Sequence, residues 1–151
     1  MNEMYGDLLK LASEGEFDVI IHGCNCQCQM GKGIALTIKN NYPEAYTADC
    51  KTEKGSRKKL GDYSHAKVRG ARSEFTIVNA YTQFHWRGAG VKADYDAIRK
   101  VMKKVKQNYS GKRIGYPLIG AGLAGGDWEV IENIINGELY DENHTLVRFK
   151  P

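Results

Sequence analysis

Between residues 19 and 35 the chain runs Val-Ile-Ile-His-Gly-Cys-Asn-Cys-Gln-Cys-Gln-Met-Gly-Lys-Gly-Ile-Ala, an apolar stretch that opens into polar and glycine residues before a second apolar pattern begins. The same order recurs at 117–125 as Pro-Leu-Ile-Gly-Ala-Gly-Leu-Ala-Gly. Glycine lets backbone approach a ligand closely, and a helix that follows such a loop offers unpaired N–H groups to an anion. Two such loops suit a phosphate-bearing nucleotide whose diphosphate is clamped from both sides. They also suit two tight strand-to-helix turns with no ligand. Gly120–Gly125 matches G-x-G-x-x-G, but only 26 residues follow Gly125. One helix and one strand are too few for a dinucleotide-binding half. Gly31-Lys32-Gly33 lacks the spacing and the hydroxyl of a P-loop.

His22, Cys24, Cys26 and Cys28 occupy alternate positions. In an extended strand all four would face one side, which invites a zinc reading. Same-face neighbours lie about 6.5 Å apart along a strand, whereas tetrahedral zinc holds every ligand at about 2–2.3 Å. No C-x-x-C pair exists. The thiols are therefore expected to pack as small apolar groups, and no metal or cofactor is expected. His22, at the end of a buried strand, reads first as a hydrogen-bonded core imidazole. It is also, with Asp127, a candidate for proton transfer. Asn25 has two open readings: its amide can orient a sugar hydroxyl or a water, or it can brace its own loop.

These residues need a scaffold. Phe17–His22 reads as a buried strand, followed after the first loop by helical spacing through Ile34, Ala35, Ile38 and Tyr42. A second short helix is expected from Pro43. Residues 51–62 read as a charged surface connection. Tyr63–Val68 and Phe75–Tyr81 read as strands joined by a turn at 70–73. Asp94 is placed to cap an amphipathic helix with Ile98, Val101, Met102, Val105 and Tyr109 on its apolar side, stopped by Ser110-Gly111. Arg113–Ile119 is expected as a strand. Asp127 opens a helix with Trp128, Ile131, Ile134 and Ile135 on one face and Gly137 at its close. His144–Phe149 alternates as a last strand. Strands alternating with helices predict an α/β sandwich around a largely parallel or mixed sheet.

At 151 residues the chain is expected to be one domain, 1–151. Its 42% hydrophobic and 26% charged residues exclude wholesale disorder. No apolar run is long enough for a membrane-spanning helix. Without a secretory pattern at Met1–Lys10, the thiols are expected to be free, in a reducing cytoplasm. The net charge of +4 suits an anionic ligand. Basic residues are dispersed apart from Lys58-Lys59 and the set Lys100, Lys103, Lys104 and Lys106 on the polar side of a helix, so no clear nucleic-acid site stands out.

The stretch Val19–Ala35 resembles a macro domain, most nearly the ADP-ribose-1''-phosphate phosphatase branch in its fungal and phage-type versions. Gly6-Asp7-Leu8, Tyr42-Pro43, Pro117–Trp128 and Leu146–Phe149 agree, so the resemblance runs over almost the whole chain. It implies a three-layer α/β/α sandwich with a mixed, largely parallel central sheet, binding ADP-ribose at the strand ends. By position it implies that Asp7, beside Leu8, accepts from the adenine amino group. Asn25, after Gly23, would contact the distal ribose. The diphosphate would be held by Met30, Gly31, Lys32, Gly33, Ile34 and Ala35, and by Ile119, Gly120, Ala121, Gly122, Leu123, Ala124 and Gly125. His22 stands where the yeast-type phosphatases also carry histidine.

The activity implied is hydrolysis of ADP-ribose 1''-phosphate to ADP-ribose and phosphate. Removal of ADP-ribose from protein, nucleic acid or O-acetyl groups is one alternative, and non-catalytic reading of ADP-ribose is another. The implied partners are the small molecule or ADP-ribosylated macromolecules. Two positions depart from the family's terminal ADP-ribose glycohydrolases, which use a lysine nucleophile after the second central strand and an acid in the phosphate loop. Here these positions are Gln83 and Ala124. The loop Phe84–Lys92 has no family counterpart; its His85 and Trp86 either cover the ligand or are plain exposed loop residues.

Overall fold

The computed structural model describes residues 1–151. Its elements follow in the order β1 (Asn2–Gly6), α1 (Leu8–Ser13), β2 (Val19–Asn25), α2 (Gly33–Asn41), α3 (Pro43–Cys50), β3 (Tyr63–Arg69), β4 (Glu74–Gln83), α4 (Tyr95–Tyr109), β5 (Ile114–Tyr116), α5 (Trp128–Glu138) and β6 (His144–Phe149), with a 3-10 turn at Arg57–Lys59. The strands form one six-stranded sheet in the order β1-β6-β5-β2-β4-β3. Neighbours pair in parallel, except that β3 runs antiparallel to β4 at the edge.

Strand β2 lies inside the sheet, and Val19 to His22 are buried on both of its faces, as their unbroken apolar run requires. On one face Val19, Ile21, Val78 and Ala80 pack with Ile98, Val101, Met102 and Val105 of α4 and Ile131, Ile134 and Ile135 of α5. On the other face Ile20, Phe75, Ile77 and Val147 pack with Leu8, Leu9 and Ala12 of α1, Ile38 of α2 and Ala45 of α3. The result is the three-layer α/β/α sandwich with a mixed, largely parallel sheet. Asp94 caps α4 through a 3.0 Å bond from Ala97 N–H, and Pro43 occupies the first turn of α3, where no N–H is needed.

Several boundaries differ from the sequence reading. Strand β1 and helix α1 were not anticipated; β1 is a short, largely exposed edge strand, and α1 has six residues. Strand β5 stops at Tyr116, because Pro117 has no N–H for the ladder. Helix α5 runs through Gly137 to Glu138. Strand β2 ends at Asn25 after a register shift between Cys24 and Asn25, so Cys26 and Cys28 leave the strand and Cys28 adopts a positive φ of 55°. The connection 51–62 is not all surface. Lys59 is buried; its ammonium donates to Cys26 O at 3.2 Å and lies 4.5 Å from the centre of the Tyr81 ring.

Candidate active site

The parallel strands deliver their carboxyl ends to one side of the sheet, where ligands bind in open α/β folds. A cavity of about 950 Å³ opens there. From β1 to β4 it crosses four strand spacings, about 19 Å. One end is lined by Gly6, Asp7, Leu8, Leu9, Val147 and Phe149. The middle is made by Gly31–Ala35 on one side and by Ile119, Gly120, Gly122, Leu123 and Ala124 on the other. The far end holds Asn25, Gln29, Gln83 and Trp86.

The two middle walls are built of backbone. Lys32 sits at the N-cap of α2, and no side chain caps that helix. The amides of Gly33, Ile34 and Ala35 have no carbonyl one turn back to pair with, and they carry the positive end of the helix dipole into the cavity. In the second loop Gly126 N–H donates to Gly120 O at 2.7 Å and Gly125 N–H to Gly122 O at 3.0 Å, which folds the loop back on itself. Gly120 (φ 72°) and Gly125 (φ 71°) supply the left-handed turns this needs. The amides of Gly122, Leu123 and Ala124 then donate to no backbone carbonyl. Gly23 opens the floor: a Cβ there would lie 2.7 Å from Thr82 Oγ1.

Asp7 accepts from Leu9 and Lys10 N–H through Oδ1, capping α1, which leaves Oδ2 for a ligand. Among the charged side chains only Asp7 and Lys32 line the cavity. Asn25 faces the cavity while bracing its loop: Nδ2 donates to Gln29 O at 3.0 Å, and Oδ1 accepts from Gln27 N–H at 2.9 Å. Gln83, its register partner on β4, donates through Nε2 to His85 O at 3.1 Å.

The cavity does not include every expected residue. Met30 is buried in the core on the α1–α3 side. Ala121 packs against the opposite core, and Gly125 turns the loop from behind. His22 is fully buried beneath the cavity and does not line it. Its Nε2–H donates to Asn79 Oδ1 at 2.6 Å, Asn79 Nδ2 donates to Ser64 Oγ at 3.0 Å, Ser64 contacts the Tyr81 hydroxyl at 2.7 Å, and Tyr81 donates to Asp49 Oδ1 at 2.7 Å. Burial lowers the His22 pKa to about 4, so the imidazole is neutral and held as a core group. Asp127 also lies outside the cavity, where it caps α5 by accepting from Glu129 N–H at 2.9 Å. Neither proton-transfer candidate therefore reaches a ligand in the cavity. Cys24, Cys26 and Cys28 are buried. Nowhere do three or more His, Cys, Asp or Glu side chains gather in a metal-binding group.

The sequence reading did not single out Gln29, Val147 or Phe149 as site residues. Gln29 follows a turn whose geometry depends on Cys28. Val147 and Phe149 come from the last strand, which reaches the site only through its parallel pairing with β1 and β5.

Fold, cavity and loops define an α/β domain with unpaired backbone donors facing a cavity at its strand ends, an arrangement suited to an anion. The chain belongs to the macro domain family, whose model matches residues 21–135. It is 35% identical over 136 residues to an uncharacterized 17.5 kDa protein of the tk-vs intergenic region of Enterobacteria phage T4, covering 87% of this chain and 84% of that one. It is 32% identical over 127 residues to the DNA ADP-ribosyl glycohydrolase of Mycobacterium tuberculosis, covering 84% of this chain but spanning only 35% of that protein's length. A shorter match, 52% identical over 46 residues, joins 30% of this chain to 17% of the ADP-ribose 1''-phosphate phosphatase of Ajellomyces capsulatus. The solved macrodomain of Mycobacterium tuberculosis DarG superposes with a TM-score of 0.73 at 26% identity, covering 99% of this chain and 97% of that one.

Proposed function

We propose that the cavity binds ADP-ribose and that the chain hydrolyses a bond at the distal ribose. The observation that carries this reading is the pair of facing backbone walls, Gly33–Ala35 and Gly122–Ala124, both with unpaired N–H groups. A diphosphate seated between them puts adenosine at the Asp7 end, where Oδ2 accepts from the exocyclic amine beside Leu8 and Leu9. It puts the second ribose at the Asn25–Gln83 end, among amides suited to hydroxyl groups. The names of the glycohydrolase and phosphatase relatives support the same ligand.

The finer reading is hydrolysis of ADP-ribose 1''-phosphate. Water attacks phosphorus, the P–O bond to the sugar breaks, and the proton passes to the departing sugar oxygen. The site's contribution is positioning and charge stabilisation by N–H donors. Asn25, Gln29 and Gln83 can orient a water but cannot take its proton, so the substrate phosphate itself serves as the base. A second reading, release of ADP-ribose from a macromolecule, is favoured by the exposed Trp86 at that end of the cavity.

Calorimetry with ADP-ribose, AMP and NAD tests the ligand; NAD bound as tightly as ADP-ribose overturns it. Incubation with ADP-ribose 1''-phosphate, following phosphate and ADP-ribose together, tests the chemistry. Tight binding with phosphate release at the background rate removes the phosphatase reading.

A further inference from the structure

Lys59 is the only lysine or arginine that the fold buries, and its ammonium forms no ion pair with a carboxylate. A charge taken out of water is costly unless it is paired and hydrogen-bonded. Its surroundings are Cys26 O at 3.2 Å, the Tyr81 ring at 4.5 Å and the Cys28 sulfur at 3.6 Å. The same sulfur lies 3.4 Å from Asp49 O and 3.7 Å from Thr52 Oγ1, at the C-terminal end of α3. The buried Asp49 carboxylate is taken up by the Tyr81 hydroxyl, at 2.7 Å. The φ of Cys28 is 55°, a conformation few residues with a side chain adopt. Asn25 braces this turn on its cavity side through Gln27 N–H and Gln29 O. The other three cysteines are placed differently. Cys24 lies 3.5 Å from His22 Nε2, Cys26 packs with Cys24 and Tyr81, and burial pushes both thiols up. Cys50 is exposed. Of the four, only Cys28 has an amine on its sulfur.

From this cluster we propose that Cys28 is a site of reversible oxidation by hydrogen peroxide, closed by a covalent sulfenamide bond to Lys59. In the first step the sulfur attacks one peroxide oxygen. The S–O bond forms, the O–O bond breaks, and the departing hydroxide leaves as water with the thiol proton. Sulfur is oxidised by two electrons and the peroxide is reduced. The nucleophile in such a step is the thiolate, and the Lys59 ammonium faces its negative charge. In the second step Lys59 Nζ, having given one proton to solvent, attacks the sulfur of the sulfenic acid. The S–N bond forms, the S–O bond breaks, and hydroxide leaves as water with an amine proton. Sulfenic acids condense with nitrogen in this way. The flexible four-carbon stem of lysine lets Nζ close the gap to the sulfur. A thiol reductant reopens the bond by attack on the sulfur. While it is closed, the turn that carries Asn25 and Gln29 on the cavity wall is tied covalently to the turn at Arg57–Lys59.

The test is mass spectrometry of the intact chain and of its tryptic peptides, before and after stoichiometric hydrogen peroxide. It is run on the wild type, Cys50→Ser, Cys28→Ser and Lys59→Met. Cys50→Ser, which lacks the exposed thiol, is expected to lose two hydrogens. In that variant and in the wild type the peptide that carries Cys28 should be joined to the one that carries Lys59, and dithiothreitol should separate them. Cys28→Ser should give no joined peptide. Lys59→Met should stop at the sulfenic acid, with one oxygen added at Cys28 and captured by dimedone. The wild-type map decides the matter even if Lys59→Met folds poorly. A disulfide among Cys24, Cys26 and Cys28, an added oxygen on wild-type Cys28 with Lys59 free, or oxidation confined to Cys50 would each overturn the proposal.

Discussion

Gly122 and Gly126 sit four residues apart in one loop, and the structure assigns them opposite sensitivities. A Cβ built on Gly122 meets nothing within 4 Å, and the residue lines the cavity. Gly122→Val should therefore fold normally, within about 0.5 kcal/mol of wild type, while its methyl groups occupy the space where the diphosphate meets the backbone. If two N–H contacts to an ionised phosphate are lost, at about 1.5–3 kcal/mol each, the total is about 3–6 kcal/mol. That corresponds to roughly two to four powers of ten in Kd. A Cβ on Gly126 instead lies 2.5 Å from Gly120 O, 2.9 Å from Ile131 Cδ1 and 3.1 Å from Ala93 Cβ. Gly126→Ala must push the loop off the core. Overpacking of this kind costs about 1–3 kcal/mol, and Tm should fall by roughly 2–12 °C for a chain of this size. Calorimetry with ADP-ribose and thermal melts on both variants separate the two effects. If Gly122→Val binds ADP-ribose as wild type does at an unchanged Tm, the loop does not face the diphosphate and the orientation of the ligand is wrong.

Asn25→Ala removes both side-chain bonds of its turn, costing about 1–2 kcal/mol, and should lower kcat more than it weakens ADP-ribose binding. Unchanged turnover in steady-state kinetics would leave Asn25 only a loop brace. Because the His22 pKa is about 4 in the folded chain against 6.5 for the free group, the unfolded chain takes up a proton that the folded one refuses. Its contribution is complete above about pH 6.5 and declines as pH falls towards 4, by about 3 kcal/mol at most, with His144 acting in the same direction. Urea titrations at pH 7.5, 5.5 and 4.5 should show this decline, and it should be shallower in His22→Gln; equal slopes would refute the assignment. Lys59→Ala removes one of the two donors to Cys26 O, the other being Gly55 N–H, and should cost about 1–3 kcal/mol as a lost bond from a charged donor, whereas the adjacent, exposed Lys58→Ala should stay within about 0.5 kcal/mol. Equal losses in urea denaturation would show that Lys59 is not held as described.

The elements that sequence reading recovers are those whose periodicity carries their burial. Helix α4 buries Ile98, Val101, Met102 and Val105 at helical spacing, and Asp94 just before it is a preferred N-cap residue that accepts from Ala97 N–H. Strand β1 has no such mark, because it pairs in parallel with β6 from the other end of the chain, a contact no local pattern encodes. Lys59 was hidden for a related reason: it lies in a run of lysines and arginine, and only the close approach of the 54–61 turn to Cys26 buries it.

The direction of His22 was not legible in the sequence. Val19 to His22 are buried on both faces of β2, so their composition says nothing about which way each side chain points. The parallel register settles it. His22 pairs with Asn79 deep in the sheet, and Asn25 pairs with Gln83 at the strand ends where the cavity opens. Three residues thus separate a core imidazole, consumed by a chain of hydrogen bonds ending at Asp49, from an amide in contact with ligand space. The glycine loops were legible because what they offer does not depend on side-chain direction: it is a set of free N–H groups, which any uncapped helix start or folded-back loop must present. A site built this way can tolerate wide variation in the side chains around it. What distinguishes this chain is then expected at the distal rim, where Gln83 ends β4 and Trp86 and Arg87 stand on the loop that follows it.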